Sequence, residues 1–435
     1  LELLFLLVVL YNMKVLLLNT SEKTGGAAIA CRRLMDALNS NGVEAKMLVR
    51  DKQTANPNVY SINANRMKKL INKWRFLRER LMIFIYNKFS KRNLFSVSIA
   101  NSGTDISNYS LVQEADIIHL HWINQGFLSL KDIEKLTRLG KPIIWTMHDM
   151  WPSTGICHYS QECNNYYTEC CHCFYLHCQG KNDLSRQVFL KKKRFYQEAP
   201  FTFVTCSDWL KKRAWQSDLL KGHTVTNVPN PINTTTFNSH SPKDARTQLQ
   251  LLTNKKLILF GAAKITDKRK GIDYFIDSCH MLVKKYPNLQ NDIGVVVYGK
   301  DSEILKELVP FEVFPLNYIS SDKELINVYN AVDLFVISSL EDNLPNTIME
   351  AMSCGTPCVG FKTGGIPEMI DHKVNGYVAN YKDAEDLANG ICWVLEESDY
   401  EQLSQNARKK VEESYSEAVV AEQYKTLYQQ ALAKR

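Results

Sequence analysis

Short apolar runs alternate with amphipathic segments along most of the chain. The first run, MKVLLLNT (Met13–Thr20), predicts a buried parallel strand, and the following segment predicts a glycine-opened helix that stops at Gly42. A second strand is expected in VEAKMLV. Further apolar runs that end in polar residues follow at ADIIHLHW, KPIIWTMHD and PFTFVTCS. This order predicts a doubly wound parallel sheet, whose ligands bind beyond the carboxyl ends of the strands.

The same alternation of apolar runs and amphipathic segments begins again after TVTNVPNPINTTTF (Thr224–Phe237), a stretch rich in Pro, Asn and Thr. The later apolar runs are KLILFGAA, IGVVVYG, FPLNYIS, DLFVISS and TPCVGF, and helical patterns such as IDYFIDSCHMLVKKY separate them. The length of 435 residues agrees with two cores. We therefore expect two Rossmann-like α/β domains, 13–230 and 231–412, that face a central cleft. A C-terminal helix, 413–435, is expected to pack back toward the first domain.

The first twelve residues, LELLFLLVVLYN, form an apolar stretch shorter than the roughly 20 residues that cross a bilayer. They lack the basic start and the small-residue cleavage site of a signal peptide. We interpret residues 1–12 as a non-native extension; a native apolar tail and a membrane-seeking segment are the alternatives. No other stretch of the sequence resembles a transmembrane helix, so we expect a cytoplasmic protein.

Two acidic positions in EDNLPNTIMEAMSCGTPCVGF suggest a binding site. The strand Leu334–Ile337 is expected to deliver Glu341, Asp342 and Asn343 to the edge of the sheet, and the next helix carries Glu350. Carboxylate oxygens accept hydrogen bonds from the neighbouring hydroxyls of a sugar or a ribose. The alternative is a pair of solvated acids that the helix dipole favours.

The block from Asn330 to Gly376, with YNAVDLFVISS, EDNLPNTIMEAMSCGTPCVGF, TGGIPEMI and NGYVA, resembles the donor-nucleotide half of the retaining glycosyltransferase family 4. The resemblance continues at FGAAKITDKRKGID, DIIHLHWINQGFLSL and WTMHDMWPSTGICHY and covers nearly all of Met13–Tyr428. It implies the GT-B fold, in which two Rossmann-like domains face a cleft.

The resemblance also implies a reaction. A hexosyl unit would pass from a nucleoside diphosphate sugar to a saccharide acceptor, lipid-linked in some cases, in surface polysaccharide biosynthesis, with no catalytic metal. Two alternatives stay open: a catalytically silent sugar-nucleotide-binding subunit at the membrane, and a sugar-nucleotide epimerase of the same fold.

Family members carry two acids separated by seven residues. That spacing matches Asp342 to the first acid and Glu350 to the second, which in the family binds the nucleotide ribose. Glu341 sits one residue early, so which of Glu341 and Asp342 contacts the donor sugar stays open. Asn346 and Thr347 begin the same helix, where free backbone N–H groups suit a diphosphate.

A basic loop, GAAKITDKRKGID, follows a strand of the second domain. Lys270 before Gly271 matches the lysine of the family's basic pair, Arg269 lies beside it, and Lys264 is the best match for the partner with one residue of slippage. Such cations stabilise a diphosphate leaving group. A solvated loop of charges is the alternative.

Two glycine pairs lie at expected helix starts, Gly25-Gly26 and Gly364-Gly365. Without side chains, their backbone amides are open to a phosphate or an acceptor. The alternative is that these glycines only allow the backbone to form tight turns.

Histidines end two strands of the first domain. His119 and His121 share a strand face because side chains alternate, and the next strand ends in His148 and Asp149 on the expected acceptor side. The resemblance places His121 near the donor sugar, with His119 as the rival and a structural histidine as the alternative. Asp149 is expected to orient His148, to bind acceptor hydroxyls or to cap a helix. The residues expected to take part in catalysis are His121, Lys270, Asp342 and Glu350.

Six of the twelve cysteines fall between Cys157 and Cys178. The spacing of Cys157, Cys163, Cys170 and Cys173 suits a structural tetrahedral zinc site. Disulfides and unligated thiols are the alternatives.

The segment 66–92 holds ten Lys or Arg residues and a single acid, although the whole chain carries a net charge of only +7. Helical spacing predicts an apolar stripe surrounded by these cations, which is typical of a helix on an anionic membrane surface. A core-packed helix with a basic outer face is the alternative. A nucleic-acid partner is not expected, because no recognised binding module is present. The predicted stripe contains Met67, Leu70, Ile71, Trp74, Leu77, Leu81, Phe84 and Ile85.

Overall fold

The structure, a computed structural model, describes residues 13–251, 253–319 and 321–434, so the predicted extension 1–12 lies outside the described residues. The chain divides into two compact units. The N-terminal unit runs to Pro231 and includes the chain from Glu417 onward, and the C-terminal unit is Ile232–Ser416. The second division therefore falls at Glu417, four residues after the predicted 413.

The N-terminal unit is built on a parallel sheet in the order β3-β2-β1-β4-β5-β6-β7. Its order reverses between β1 and β4, which is where ligands bind in such sheets. The first residues of the predicted linker, Thr224–Asn227, form the last strand, β7. This strand pairs with Thr202–Thr205 of β6. The strands are β1 Lys14–Ser21, β2 Glu44–Asp51, β3 Val59–Ser61, β4 Ile117–Leu120, β5 Ile143–Met147, β6 Phe201–Thr205 and β7 Thr224–Asn227.

Helices cover both faces of this sheet, so its central strands are buried runs of apolar residues. Leu17 packs in a cluster with Met35, while Leu16 and Leu18 belong to a cluster with Trp145. The helices are α1 Gly26–Ser40, α2 Arg66–Tyr86, α3 Ser110–Glu114, α4 Leu130–Thr137, α5 Leu184–Glu198 and α6 Asp208–Trp215.

The C-terminal unit has a second parallel sheet in the order β10-β9-β8-β11-β12-β13. Its strands are β8 Lys256–Lys264, β9 Ile293–Lys300, β10 Glu312–Pro315, β11 Leu334–Ile337, β12 Cys358–Phe361 and β13 Gly376–Ala379. Its helices are α7 Pro242–Gln248, α8 Ile272–Lys285, α9 Asp322–Ala331, α10 Asn346–Ser353, α11 Ile366–Met369, α12 Ala384–Cys392 and α13 Tyr400–Tyr415, with a π-helical turn at Trp393–Glu397. Two parallel-sheet α/β units are confirmed.

The last helix, α14 (Glu417–Ala433), packs against α1 in the N-terminal unit. It contributes Val420, Tyr424 and Tyr428 to the core cluster that contains Leu17. Within the described residues, none of the helices has both the length and the apolar character needed to span a bilayer.

Candidate functional site

Three adjacent strands of the C-terminal unit end in loops that interlock. After β8 comes a 3-10 turn at Lys268–Lys270, after β11 comes the acidic segment, and after β12 comes the second glycine pair. Because β8, β11 and β12 are neighbours in one parallel sheet, their carboxyl ends meet at one edge. We call Arg269, Lys270, Asp342 and Gly364 the loop cluster.

An ion pair holds the loop cluster together. Lys270 Nζ donates to Asp342 Oδ2 at 2.6 Å, and Arg269 Nη1 lies 3.4 Å from the same oxygen. The side chains of Asp342 and Lys270 are 12% and 22% exposed, so the pair is largely shielded from solvent. A bound anion would compete with Asp342 for the two cations.

The pair shifts both protonation equilibria. Burial lowers the pKa of Lys270 below its ordinary value, and the neighbouring Asp342 charge offsets only part of that effect. Burial acts to raise the pKa of Asp342, but the charges of Lys270 and Arg269 outweigh it and the net shift is downward. Asp342 is therefore ionised at neutral pH.

Two glycines allow the loops to approach this closely. Gly271 (φ 66°) and Gly364 (φ 58°) have left-handed backbones, and a Cβ at either would collide with a backbone oxygen, that of Ser338 or Asp342. Backbone hydrogen bonds from Leu340 N to Arg269 O and from Gly365 N to Asp342 O close the arrangement. These glycines have a packing role that the sequence alone did not separate from ligand contact.

Lys264, the predicted partner of Lys270 in the basic pair, stays a prediction. The second cation on Asp342 is Arg269, whereas Lys264 is exposed at the end of β8. Lys264 lies at the end of the strand itself, four residues before the turn Lys268–Lys270 that carries Arg269. Arg269 also donates to the backbone oxygen of Glu341 at 2.8 Å. The two neighbouring acids therefore differ in their contacts to the basic turn: Asp342 binds Lys270 through its carboxylate, and Glu341 binds Arg269 through its backbone oxygen.

Glu350 lies on α10 and is 3% exposed. Tyr329 donates to Glu350 Oε2 at 3.0 Å, and the hydroxyl of Tyr298 lies 3.3 Å from that of Tyr329. The ring of Tyr298 lies against Gly261, where a Cβ would overlap it. Burial raises the pKa of Tyr329, so it remains a donor. Both tyrosines come from other elements, α9 and β9, and no local spacing links them to Glu350.

The start of α10 suits an anion. Asn346 is its first residue and Thr347 its second, Pro345 is the N-cap without a side-chain hydrogen bond, and no acidic residue lies in the first turn. The N-terminal unit repeats this feature at α1, where Gly25 (φ 93°) is the N-cap and Gly26 the first residue. Nothing within 4 Å would meet a Cβ at Gly25. At both helix starts the N-cap residue makes no side-chain hydrogen bond to the helix.

His119 is a core residue of the N-terminal unit. Its Nδ1 lies 2.8 Å from the hydroxyl of Tyr428, and its Nε2 lies 2.7 Å from Thr146 Oγ1, which in turn lies 2.9 Å from the hydroxyl of Tyr424. Burial lowers the pKa of His119 to about 3. With both ring nitrogens occupied, His119 ties β4 and β5 to α14.

His121 and His148 form a stacked pair, with ring centroids 5.2 Å apart and His121 Nδ1 2.9 Å from His148 Nε2. Burial lowers the pKa of His121 well below its ordinary value and that of His148 to about 4. The other nitrogen of His121, Nε2, is buried and has no hydrogen-bond partner within the described part of the chain. Of His119 on β4 and His121 directly after it, His121 is thus the one with an atom left to bind a ligand.

Of the three roles expected for Asp149, orientation of His148 is not seen in its hydrogen bonds. Asp149 Oδ2 instead binds His158 Nδ1 at 2.7 Å and Trp122 Nε1 at 2.9 Å, while its Oδ1 accepts from the backbone N–H of Trp151 at the adjacent 3-10 turn. The turn after β5 directs the carboxylate away from His148. His158 stands at the start of the cysteine-rich segment, and sequence analysis gave it no role.

The cysteine-rich segment 157–178 contains one 3-10 turn, Asn165–Tyr167. All twelve cysteines lie among the described residues and are free thiols. Burial raises the pKa of Cys170 and Cys173 to about 12, which favours thiols. No group of three or more His, Cys, Asp or Glu side chains in the described chain is arranged to hold a metal ion, so the predicted zinc site at Cys157, Cys163, Cys170 and Cys173 gains no support.

Helix α2 turns its polar face inward. Glu79 Oε1 accepts from the backbone N–H groups of Ile99 and Ala100, and Arg80 Nη1 donates to the backbone oxygens of Leu94 and Val97. The predicted helical segment 66–92 is too long, because the helix ends at Tyr86 and left-handed residues follow at Lys88 and Phe89.

The apolar side of α2 is exposed. Met67, Leu70 and Trp74 are 66%, 62% and 61% exposed. Phe84 is half-buried, which removes it from the predicted stripe. The predicted apolar stripe is therefore not packed in the core, although Ile83 of the same helix is. We call the exposed set Met67, Leu70, Ile71, Trp74, Leu77, Leu81 and Ile85 the α2 apolar face. Exposed cations on the same helix are Arg66, Lys68, Lys69, Lys73 and Arg78.

Comparison with known proteins identifies the family. Residues 24–236 match the model of Glycosyltransferase Family 4, and residues 243–410 match that of Glycosyl transferases group 1. An uncharacterized glycosyltransferase of Haemophilus influenzae is 26% identical over 216 residues, which are 49% of this chain and 57% of the relative. The amylovoran biosynthesis glycosyltransferase AmsK of Erwinia amylovora is 25% identical over 259 residues, 55% of this chain and 60% of the relative. Each alignment spans less than two thirds of the relative's own length.

Among solved structures, Anabaena HepE in complex with UDP and glucose has a TM-score of 0.60 and 17% identity, and the match covers 96% of this chain and 100% of that one. This likeness confirms the predicted GT-B fold class. The two family models follow each other along the chain in the order of its two parallel-sheet units. The chain belongs to glycosyltransferase family 4.

Proposed function

We propose that the protein is a retaining hexosyltransferase that moves a hexosyl unit from a nucleoside diphosphate sugar to a saccharide acceptor in surface polysaccharide biosynthesis. The observation that carries this proposal is the Lys270–Asp342 ion pair with Arg269 beside it. Cations fixed at a strand edge compensate the charge that develops on a departing diphosphate. The roles of AmsK in amylovoran biosynthesis and of HepE as a protein that holds UDP and glucose support it.

The proposal gives the following roles to site residues of the C-terminal unit. Glu350, whose carboxylate accepts a hydrogen bond from Tyr329, binds the ribose hydroxyls. The backbone N–H groups at the start of α10, at Asn346 and Thr347, bind the diphosphate. Arg269 and Lys270 turn from Asp342 to the diphosphate, which frees Asp342 to accept from hydroxyls of the sugar. The backbones of Asn343, Gly364 and Gly365 complete this wall, and Glu341 stays an alternative contact to the sugar.

The transfer step needs no covalent enzyme intermediate. The acceptor hydroxyl attacks the anomeric carbon on the face that the nucleotide leaves, the bond to the diphosphate oxygen breaks, and the departing phosphate takes the hydroxyl proton. The protein supplies positioning and charge compensation. In the N-terminal unit, His121 offers its unpartnered Nε2 to a hydroxyl, and Gly25 and Gly26 offer backbone N–H groups to an anion.

The α2 apolar face supports a second element of the proposal, which is docking on an anionic membrane surface at the inner leaflet. Seven large apolar side chains stand exposed on one helix next to five exposed cations. Such a helix inserts its apolar side at the headgroup boundary, and each nearby Lys or Arg contributes about 1 kcal/mol on anionic lipid. Docking there would bring the enzyme to a lipid-linked saccharide acceptor.

Transfer of radiolabel tests the proposal. The protein is incubated with labelled UDP-, GDP- and ADP-hexoses and a membrane extract that contains lipid-linked saccharides, with and without EDTA. We expect label in the saccharide with one nucleotide, no inhibition by EDTA, and retention of the anomeric configuration in the product by NMR. Thermal stabilisation by a nucleotide sugar without transfer would indicate the silent binding subunit. An altered hexose released as nucleotide sugar would indicate an epimerase. Neither alternative is favoured by relatives that are named glycosyltransferases.

A further inference from the structure

A chain of polar side chains lies beyond β4, β5 and β6 of the N-terminal unit. His121 Nδ1 is 2.9 Å from His148 Nε2, His148 Nδ1 is 3.8 Å from Cys206 Sγ, and Cys206 Sγ is 3.2 Å from Asn230 Oδ1. His121 is 3% exposed, Cys206 1% and Asn230 7%. The three strands are neighbours in the sheet, so the fold brings together residues more than 100 positions apart.

The hydrogen bonds that join these side chains have a defined donor-to-acceptor direction, and Cys206 determines it. A thiol has one hydrogen, and the two oxygens beside Cys206 Sγ, Asn230 Oδ1 at 3.2 Å and the backbone oxygen of Met147 at 3.6 Å, can only accept, so the thiol hydrogen points to one of these oxygens and not to His148. Burial raises the pKa of Cys206, which keeps that hydrogen in place. The sulfur then accepts from His148, which places the hydrogen of the neutral His148 ring on Nδ1 and a lone pair on its Nε2.

The same logic fixes His121. Because His148 Nε2 can only accept, His121 Nδ1 donates to it. A neutral imidazole carries one ring hydrogen, so His121 Nε2 bears a lone pair. This atom is buried and has no hydrogen-bond partner among the described residues. The group that satisfies it must be a donor, and a saccharide hydroxyl is one.

We propose that Cys206 is a positioning residue that, through His148, holds His121 in the Nδ1–H tautomer, so that His121 Nε2 accepts a hydrogen bond from a hydroxyl of the bound sugar. Only the identity of that hydroxyl rests on the proposed function. The tautomer belongs to the ligand-free protein and can be measured without turnover.

The test uses protein labelled with 15N at histidine and long-range 1H–15N spectra, with His121 identified by its loss in His121→Gln. In the wild type, we expect the ring hydrogen of His121 on Nδ1. Cys206→Ala removes the acceptor for His148, so a population with hydrogen on His121 Nε2 is expected. Cys206→Ser keeps a donor and an acceptor and restores the wild-type tautomer. Cys279→Ala, at another fully buried cysteine, is the matched control and leaves the tautomer unchanged.

A wild-type hydrogen on Nε2 overturns the proposal, even if the Cys206 variants do not fold. An unchanged tautomer in folded Cys206→Ala also overturns it.

A second experiment adds ligands: UDP-glucose is expected to shift the Nε2 resonance of His121, whereas UDP is not, because UDP lacks the hexose. A shift with UDP would assign the hydroxyl to the ribose and reject the sugar contact. No shift with UDP-glucose, despite binding, would also reject the sugar contact. Transfer activity should fall about fivefold in Cys206→Ala and recover in Cys206→Ser. If no transferase activity is found at all, the proposed function fails while the tautomer result stands.

Discussion

Lys270 and Asp342 stand 72 residues apart in the chain and form an ion pair of 2.6 Å at the shared edge of β8 and β11. The pair is available for exchange, because a diphosphate can replace the carboxylate as the partner of Lys270. Buried pairs contribute little to stability when intact, but removal of one partner leaves an uncompensated charge. The contribution of Lys270 to the transfer rate therefore has to be measured separately from its contribution to stability.

Lys270→Ala is expected to lower kcat about a hundredfold, because a charge that stabilises the leaving group is lost. Steady-state transfer from the preferred nucleotide sugar measures this effect. Lys268→Ala, at an exposed lysine of the same turn, serves as the control and should change kcat less than twofold. Equal losses in both variants would mean that the loop acts through overall charge and not through the geometry of Lys270.

Tyr329→Phe is expected to raise KM for the nucleotide sugar about tenfold with a smaller effect on kcat, because one hydrogen bond to the Glu350 carboxylate is lost. Initial rates over a range of donor concentrations give the two parameters. Tyr377→Phe removes a hydroxyl that donates to Asp386 on the same unit and should leave both parameters unchanged. If Tyr329→Phe lowers kcat alone, Glu350 acts in the chemical step and not in ribose binding.

The order of most strands and helices could be predicted because the central strands are buried on both faces and read as apolar runs. Strand β7 was missed since Thr224–Asn227 contains one apolar residue, and pairing with β6 defines it. Likewise, Lys270 and Glu350 could be found from the motif around them. The sequence could not predict that Arg269 is the second cation on Asp342, because this contact depends on the 3-10 turn that directs Arg269 toward Asp342.

The rest of the site depends on contacts between distant elements. Tyr298 and Tyr329 reach Glu350 from different elements, and no spacing in the sequence encodes that contact. Cys206 had a usable signal, because it is a polar residue directly after the apolar run of β6. The orientation of α2 could not be predicted, since its stripe of apolar residues fits a core as well as a membrane. The buried hydrogen bonds of Glu79 and Arg80 decide which side faces in.

Gly271→Ala is expected to destabilise the protein by more than about 3 kcal/mol, because it combines a left-handed backbone with a collision at Ser338. Gly140→Ala is the matched control, since Gly140 has the same φ of 66° and open space around it. Its cost should be about 1–2 kcal/mol, which is the backbone term alone. Calorimetric unfolding of both variants gives the difference, and similar losses would show that close loop packing at Gly271 is not needed.

Trp74→Ala is expected to weaken binding to anionic vesicles about tenfold or more, because a large exposed side chain of the α2 apolar face is removed. Co-sedimentation with phosphatidylglycerol vesicles measures this, with phosphatidylcholine vesicles as the neutral comparison. Trp215→Ala is the control, since Trp215 is 59% exposed against 61% for Trp74 and lies on another helix of the same unit. A dimer in solution that dissociates on Trp74→Ala, without vesicle binding by the wild type, would assign the face to a second copy of the chain.

Acid should destabilise the N-terminal unit through its buried histidines. The folded-state pKa is about 3 for His119 and about 4 for His148, both below the ordinary value near 6.5, because burial disfavours the charged ring. The unfolded chain therefore binds more protons as the pH falls from 6.5 toward 4, and the free energy of unfolding decreases over that window. More than about one unit above pH 6.5 these groups are neutral in both states and contribute no slope. Urea unfolding from pH 7.5 to 4.5 measures the decrease, and His148→Gln should reduce its slope, whereas His240→Gln, at an exposed histidine, should not. An unchanged slope in His148→Gln would mean that His148 is protonated in the folded protein, and the hydrogen-bond direction inferred for His121 would then fail with it.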